Sequence, residues 1–178
     1  MQHVIKPFRL ALSDDILSEL RVRLDDTRWP EAELVDDRSQ GAPLEWIQDM
    51  CRYWAHRCNW RASEARLNRF AHYTTELDGL DIPFVHVRSP HAEATPLVIT
   101  HGWPGSIVDS HKVIEPLTNP TAFRGEATDA FHVVCPSLAR FRFFAKPTST
   151  GWGAPKLTGA WGAIDESARL CPIGGTGW

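Results

Sequence analysis

The sequence predicts an α/β protein in which a helical segment comes first and the opening strands of a sheet follow. Three observations carry this. Apolar residues recur every three or four positions before residue 70, and the pattern then shortens to β-branched runs. Beyond residue 95 the order is strand, turn, helix, strand, which is how a sheet with covering helices begins. A chain of 178 residues is long enough for one domain with a core of its own and short for two.

Each element has a local reason. In SDDILSELRVRLDDTRWP, Ser13 is a good N-cap and Asp14 and Asp15 suit the positive end of a helix dipole. Ile16, Leu20 and Leu24 recur every four residues, and Pro30 is the expected stop. After an acidic loop, Pro43 can serve as the first residue of a second helix, with Trp46, Ile47, Met50 and Trp54 on one apolar stripe. A third helix, SEARLNRF, is expected with Ser63 at its cap. HYTTELDG and DIPFVHVRS read as two strands joined by the turn-forming pair Asp78-Gly79, with Pro83 arguing for an edge position. PLVIT suits a strand covered on both faces, Ile107 to Leu117 a helix, and AFHVVCPS (Ala130 to Ser137) the next buried strand.

Composition excludes several classes. Hydrophobic residues are 43% and charged residues 23% of the chain, a globular balance. A formal net charge of −3 leaves no basic footprint for nucleic acid or an anionic membrane. No stretch approaches the roughly 18 apolar residues of a bilayer span, and no signal peptide is evident, so a cytoplasmic location is expected. Cys51, Cys58, Cys135 and Cys171 form no CxxC pair. Cys51 and Cys58 are expected on one helix, where seven residues rise about 10 Å, too far for a disulfide. All four read as reduced thiols, and no metal site or cofactor is expected. The eight tryptophans are spread along the chain, as core and lining residues would be.

The residues that point to chemistry are THGWPGS, Thr100 to Ser106. A turn at the C-terminal end of a strand in an α/β sheet is where such folds place ligands. Gly102 and Gly105 allow conformations and close approaches that a side chain would block, while Pro104 fixes its own φ and restricts Trp103. Together they can aim the Trp103 N–H into a pocket, which is half of an oxyanion hole. The alternative is an ordinary Gly/Pro turn capping a strand. His101 reads as a structural hydrogen-bonding residue, because no nucleophile stands beside it and the chain has no GxSxG elbow.

HGWPGS preceded by PLVIT resembles the HGxP turn of the epoxide hydrolases of the α/β-hydrolase superfamily. RVRLDDTRWP, YWAHRCNWRASEARLNRF and FVHVRS resemble the N-terminal extension of that family's microsomal-type branch, and FHVVCPSL and KPTSTGWG continue the likeness to about residue 161. The resemblance implies a helical extension with a first hairpin over 1–92, the start of an incomplete α/β-hydrolase sheet over 93–161, and a divergent tail over 162–178. It also implies a reaction. An aspartate on a nucleophile elbow opens a hydrophobic epoxide to an ester while lid tyrosines polarise the ring oxygen. A histidine backed by an acidic residue then activates the water that releases a vicinal diol. His101, Gly102, Trp103 and Pro104 would form the oxyanion-hole turn, with the Trp103 N–H as donor.

Three departures follow. Where the family has PSLPGFGFS, this chain has PSLARFRFF, placing Ala139, Arg140, Arg142 and Phe144 in a loop usually made of proline, glycine and serine. The elbow QGGDWG is only echoed by Gly174-Gly175-Thr176, and Asp165 lies in the wrong context to replace its aspartate. The lid tyrosines, acidic partner and catalytic histidine belong to a C-terminal half without counterpart here, and His3, His56, His72, His86, His91, His111 and His132 offer no substitute by motif. No catalytic residue is therefore assigned, and the chain alone is expected not to turn over an epoxide. ARLCP where a relative would read ARLGY suggests a one-base slip and a degraded gene. Two other readings stand beside this. In one, a complementary C-terminal chain completes a split enzyme. In the other, Trp29, Trp46, Trp54 and Trp60 form an exposed patch that grips a partner.

Overall fold

The computed structural model describes residues 4–102, 104–138, 159, 162 and 164. They fall into two compact units, one of Ala11–Arg66 and one of Met1–Leu10 with Leu67–Trp178.

The first unit is helical. Helix α1 (Asp14–Asp25) starts where its cap dictates, with the Ser13 side chain accepting the Ile16 N–H. It stops five residues before Pro30, as Asp26 takes the C-cap and donates to the Val22 carbonyl. Asp25 and Asp26 stand at the negative end of the dipole, which disfavours another turn. Helix α2 (Leu44–His56) has Pro43 at its N-cap, one position outside the expected place. Its buried residue is Ala55, whereas Trp46, Met50 and Trp54 of the apolar stripe are exposed. Helix α3 (Trp60–Leu67) begins three residues before Ser63, because Asn59 Oδ1 takes the Ala62 N–H at 3.0 Å and serves as the cap. Glu64 then joins the start of α1 to α3. It accepts the Leu12 N–H at 2.8 Å and pairs with Arg61 at 2.8 Å, contacts that hold its carboxyl below the usual range. Cys58 falls beyond the end of α2, so it does not share that helix with Cys51, and both are free thiols, as is Cys135.

The second unit is built on a five-stranded sheet: β1 (Ile5–Phe8), β2 (His72–Leu77), β3 (Leu80–Val87), β4 (Thr95–Val98) and β5 (Phe131–Pro136), in the order β1-β2-β3-β5-β4. All neighbours are antiparallel except β4 and β5, which are parallel. Asp78 and Gly79 both take positive φ, 50° and 74°, and make the tight turn whose twist matches a hairpin. The sequence pattern does not announce β1, whose IKPF carries a proline. It lies at the edge of the sheet, where a missing N–H breaks no ladder.

Pro83 sits in an interior strand, contrary to the edge position expected of it. Its partner on β2, Thr74, stands between the hydrogen-bonded pairs set by the two-residue turn, so no N–H is required there. Toward β5 its carbonyl accepts the Ser137 N–H at 3.0 Å, just past the end of the strand. Strand β4 is less covered than expected. Leu97, Val98 and Ile99 are half-buried and Thr95 and Pro96 exposed, because β4 is the last strand of the described sheet.

Both faces of the central strands are apolar. Ile82, Phe84, Leu77, Leu80 and Val134 pack on one face with Ile164. Val85, Val133 and Cys135 pack on the other against Ile107 and Ile114. Burial of each such side chain stabilises the fold by about 2 kcal/mol. The segment after β4 is not one helix: a 3-10 turn, Ile107–Ser110, is followed by α4 (Ile114–Thr118). The restart places Pro116 in the first turn of α4, where its missing N–H is harmless. Among the described residues no helix is long and apolar enough to cross a membrane.

Two predictions follow from this core. A Cβ at Gly79 would meet no atom within 4 Å, so Gly79→Ala tests backbone strain alone. It should cost about 1 kcal/mol in urea denaturation. His86, 7% exposed, is pushed down to about 4 by burial, with Arg88 and His132 adding to the shift. The unfolded chain therefore binds a proton that the folded chain refuses. The contribution of His86 to stability should be level above pH 6.5, fall by up to about 3 kcal/mol toward pH 4 and change little below, where the depressed carboxyl of Glu64 takes over the slope. His86→Leu should remove most of that slope, leaving the weaker contributions of His72 and His132, which burial also lowers.

Candidate functional site

The candidate site lies where β4 and β5 part. Their parallel ladder runs to the Ile99 N–H, which donates to the Val134 carbonyl at 2.9 Å. The next rung would need an N–H at residue 136, and Pro136 has none. Beyond that point the strands are held by a side chain. His101, 6% exposed, accepts the Leu138 N–H on Nε2 at 3.0 Å. An accepting Nε2 places the ring proton on Nδ1, which is 3.4 Å from the Gly102 carbonyl. His101 is thus occupied as a structural hydrogen-bonding residue that spans the gap.

The turn itself is closed from within. The Gly105 N–H donates to the Gly102 carbonyl at 2.7 Å, enclosing positions 103 and 104. Ser106 caps the following 3-10 turn by accepting the Val108 N–H at 3.3 Å, and Asp109 reaches back to accept the Ser106 N–H at 3.2 Å. Neither Gly102 nor Gly105 takes a left-handed backbone, which among the described glycines is confined to Gly41 and Gly79. Gly105 is needed for space instead, since a Cβ there would lie 1.9 Å from Asp109 Oδ2 and 3.0 Å from the Gly102 carbonyl oxygen. At Gly102 a Cβ would meet nothing within 4 Å, so close approach does not explain that glycine. Buried Ser110 lies within hydrogen-bond reach of the Cys135 thiol, which burial pushes up to about 11, so this cysteine is no nucleophile.

Of the turn residues read from the sequence, His101, Gly102 and Pro104 stand together here. Trp103, Ala139, Arg140, Arg142, Phe144, Asp165, Cys171, Gly174, Gly175, Thr176 and His3 lie outside the described residues, as does KPTSTGWG. Of the other histidines, His86 and His132 lie near enough to affect each other, on neighbouring strands and away from this turn in sequence register. His72 meets the Leu67 carbonyl at 2.8 Å, His56 meets Asp25 at 2.9 Å, and His132 accepts the Ser89 N–H at 3.0 Å. Among the described residues no group of three or more His, Cys, Asp or Glu side chains could hold a metal ion. Sequence reasoning misses Asp109 and Pro136. The pattern Ser106-x-x-Asp109 is a readable capping box, whereas the consequence of Pro136 needs the strand register.

These features define part of an α/β-hydrolase sheet with a short turn leading out of a parallel strand. A solved epoxide hydrolase from Aspergillus niger, an enantioselective mutant generated by directed evolution, superimposes with a TM-score of 0.76 at 27% identity, covering 91% of this chain and 44% of that one. The juvenile hormone epoxide hydrolase of the silkworm Bombyx mori shares the fold, with a TM-score of 0.80 over 93% of this chain and 39% of that one. The family model of the epoxide hydrolase N terminus matches residues 5–110, and the chain belongs to that family. A protein of Stigmatella aurantiaca with a provisional epoxide hydrolase name is 50% identical over 160 residues, 90% of this chain and 36% of its own length. Juvenile hormone epoxide hydrolase 2 of Ctenocephalides felis is 32% identical, over 86% of this chain and 33% of its own. The chain spans about a third of the length of these curated relatives.

If His101 holds the parted strands, His101→Ala leaves the Leu138 N–H without its acceptor. Hydrogen exchange at Leu138 should quicken and stability fall by about 1–3 kcal/mol, with little change in exchange along β2.

Proposed function

We propose that this chain supplies the N-terminal part of an epoxide hydrolase, including one half of its oxyanion hole. The Trp103 N–H donates to the oxygen that becomes negative when water attacks the ester formed between an enzyme aspartate and a hydrophobic epoxide. That ester's carbonyl carbon goes from planar to tetrahedral, and a fixed donor favours the second state over the first. The observation that carries the reading is the turn leaving β4. It is closed by its own backbone, tied to β5 through His101, and lies within the 5–110 span that matches the family. These 178 residues contain no QGGDWG elbow, so by themselves they bind or position and do not hydrolyse. The aspartate, the lid tyrosines and the histidine come from other sequence, in the same polypeptide or in a complementary one.

A second reading, a module that grips a partner, is favoured by the aromatic side chains of the helical unit. Trp46 and Trp54 are 51% and 47% exposed, and neither Trp29 nor Trp60 is buried.

The test is reconstitution. The chain should show no hydrolysis of styrene oxide, and joining it to the C-terminal two thirds of the Stigmatella aurantiaca relative should restore diol formation. In that joined enzyme Trp103→Pro, which removes the N–H, should lower kcat by about 100-fold or more. Association without hydrolysis would favour the binding module and overturn the enzymatic reading.

A further inference from the structure

We infer that His132 is a proton-operated latch: its neutral ring holds the segment between β3 and β4 to the sheet, and a proton on that ring releases it. The inference stands apart from the enzymatic reading, because His132 is the second residue of β5 and the turn at 100–106 lies beyond the other end of that strand. The segment concerned, residues 88–94, carries the chain from β3 to β4. Its Ser89 N–H donates to His132 Nδ1 at 3.0 Å. A ring nitrogen accepts a hydrogen bond only through its lone pair, so this contact requires a neutral imidazole with its proton on Nε2. Protonation puts an N–H where the lone pair was, and two donors then face each other. The bond is lost.

The groups around the ring set when this happens. Pairing of β3 with β5 runs from Phe84 opposite Pro136 to Val87 opposite Val133. One step further sets Arg88 opposite His132, and alternation puts His86 on the same face. Tyr73 of β2 stands edge-on to His86 there, with 6.4 Å between ring centroids. On the other flank His132 pairs with Pro96 of β4, which has no charge. Ile107 and Ile114 pack on the opposite face, against Val133 and Cys135. The ring is half-buried, and burial together with the Arg88 charge holds its pKa below the ordinary 6.5. The segment is also tied at a second point, by contacts that a proton does not disturb. Ser89 Oγ accepts the His91 N–H at 3.0 Å, and His91 Nε2 meets Thr121 Oγ1 at 3.3 Å. Thr121 donates its own hydroxyl hydrogen to Asn119 Oδ1 at 3.0 Å, so His91 is the donor in that contact. An imidazole that donates keeps its bond in both charge states. His91 therefore holds the segment whatever its charge, and His132 only while neutral. Strand β4 is secured separately, the Thr95 N–H donating to the Ala130 carbonyl at 3.0 Å and the Ile99 N–H to the Val134 carbonyl at 2.9 Å. Opening is therefore local to the residues around Ser89.

The test is an NMR titration of the full 178-residue chain, following the His132 ring and the Ser89, Thr95 and Ile99 amides of the folded form as pH is lowered. Signals of the folded form report the latch itself, whatever the unfolding equilibrium does. The sign follows from the lowered pKa: the latched ring refuses a proton that a released ring takes, so the latch is closed above pH 6.5 and opens as pH falls below it. The Ser89 amide should shift and its 15N heteronuclear NOE should fall with the same midpoint as the His132 ring, below 6.5, while Thr95 and Ile99 stay in place. His132→Asn, whose side-chain oxygen can accept the Ser89 N–H and does not titrate, should hold the Ser89 signal unmoved across that range. His132→Ala should show the released signal even at pH 8, and Arg88→Gln should raise the midpoint by removing a like charge. A Ser89 amide that ignores the His132 titration, a His132 midpoint at or above 6.5, or a fall retained in His132→Asn would overturn the inference. So would Thr95 and Ile99 moving together with Ser89, because the event would then be a loosening of β4 as a whole.

Discussion

The site depends on a hydrogen bond that cannot form. Proline at 136 has no N–H to offer the Ile99 carbonyl, so the parallel pairing of β4 and β5 stops after Ile99. Were the ladder to continue, residues 100 and beyond would be committed to the sheet and their amides to a neighbour. Because it stops, the chain leaving β4 is free to enter the turn that the Gly105 N–H closes on the Gly102 carbonyl. The His101 ring, bonded to the Leu138 N–H, then limits how far the strands part. A proline that ends the ladder and a histidine that spans the opening are complementary parts of one arrangement.

Around this opening the polar side chains are structural. His101, His72 and His132 each accept from or donate to a backbone group, and the Cys135 thiol lies beside the Ser110 hydroxyl with its ionisation suppressed by burial. Such burial is tolerated because each group keeps a partner, and among the described residues no buried side-chain nitrogen or oxygen is left without one. Among the described residues the turn itself is held by backbone bonds and their caps. That suits a chain whose family membership rests on residues 5–110 and which spans about a third of its relatives' length.

Local chemistry was the legible part. Ser13 capped α1 as its side chain and spacing required, and Asp78-Gly79 made the tight hairpin turn because both residues tolerate positive φ. The turn at 100–106 was legible as a candidate site from its glycines, proline and position after a strand, and His101 as a hydrogen-bonding residue. Other features were misread where a neighbour decided the outcome. Pro83 looked like an edge residue and lies inside the sheet, because register placed its nitrogen where no rung was due. Trp46, Met50 and Trp54 share the apolar stripe read from the sequence and stand exposed, against the core or lining place expected of most tryptophans. Periodicity reports which side chains share a face and says nothing about whether that face is covered.

The sequence by itself determined the Ser13 cap, the hairpin turn and the mixed α/β order, since each depends on contacts or patterns within a few positions along the chain. Only the tertiary structure decided that β3 is interior, that β1 joins the described sheet, that Pro136 ends a ladder, that Asp109 caps the 3-10 turn after the site and that His101 spans the parted strands. The reason is physical. A missing N–H, a ring nitrogen or a carboxylate acquires its role from the partner placed opposite it. For Pro136 and His101 that partner comes from another strand or its extension, and for Asp109 it is a backbone folded back upon itself.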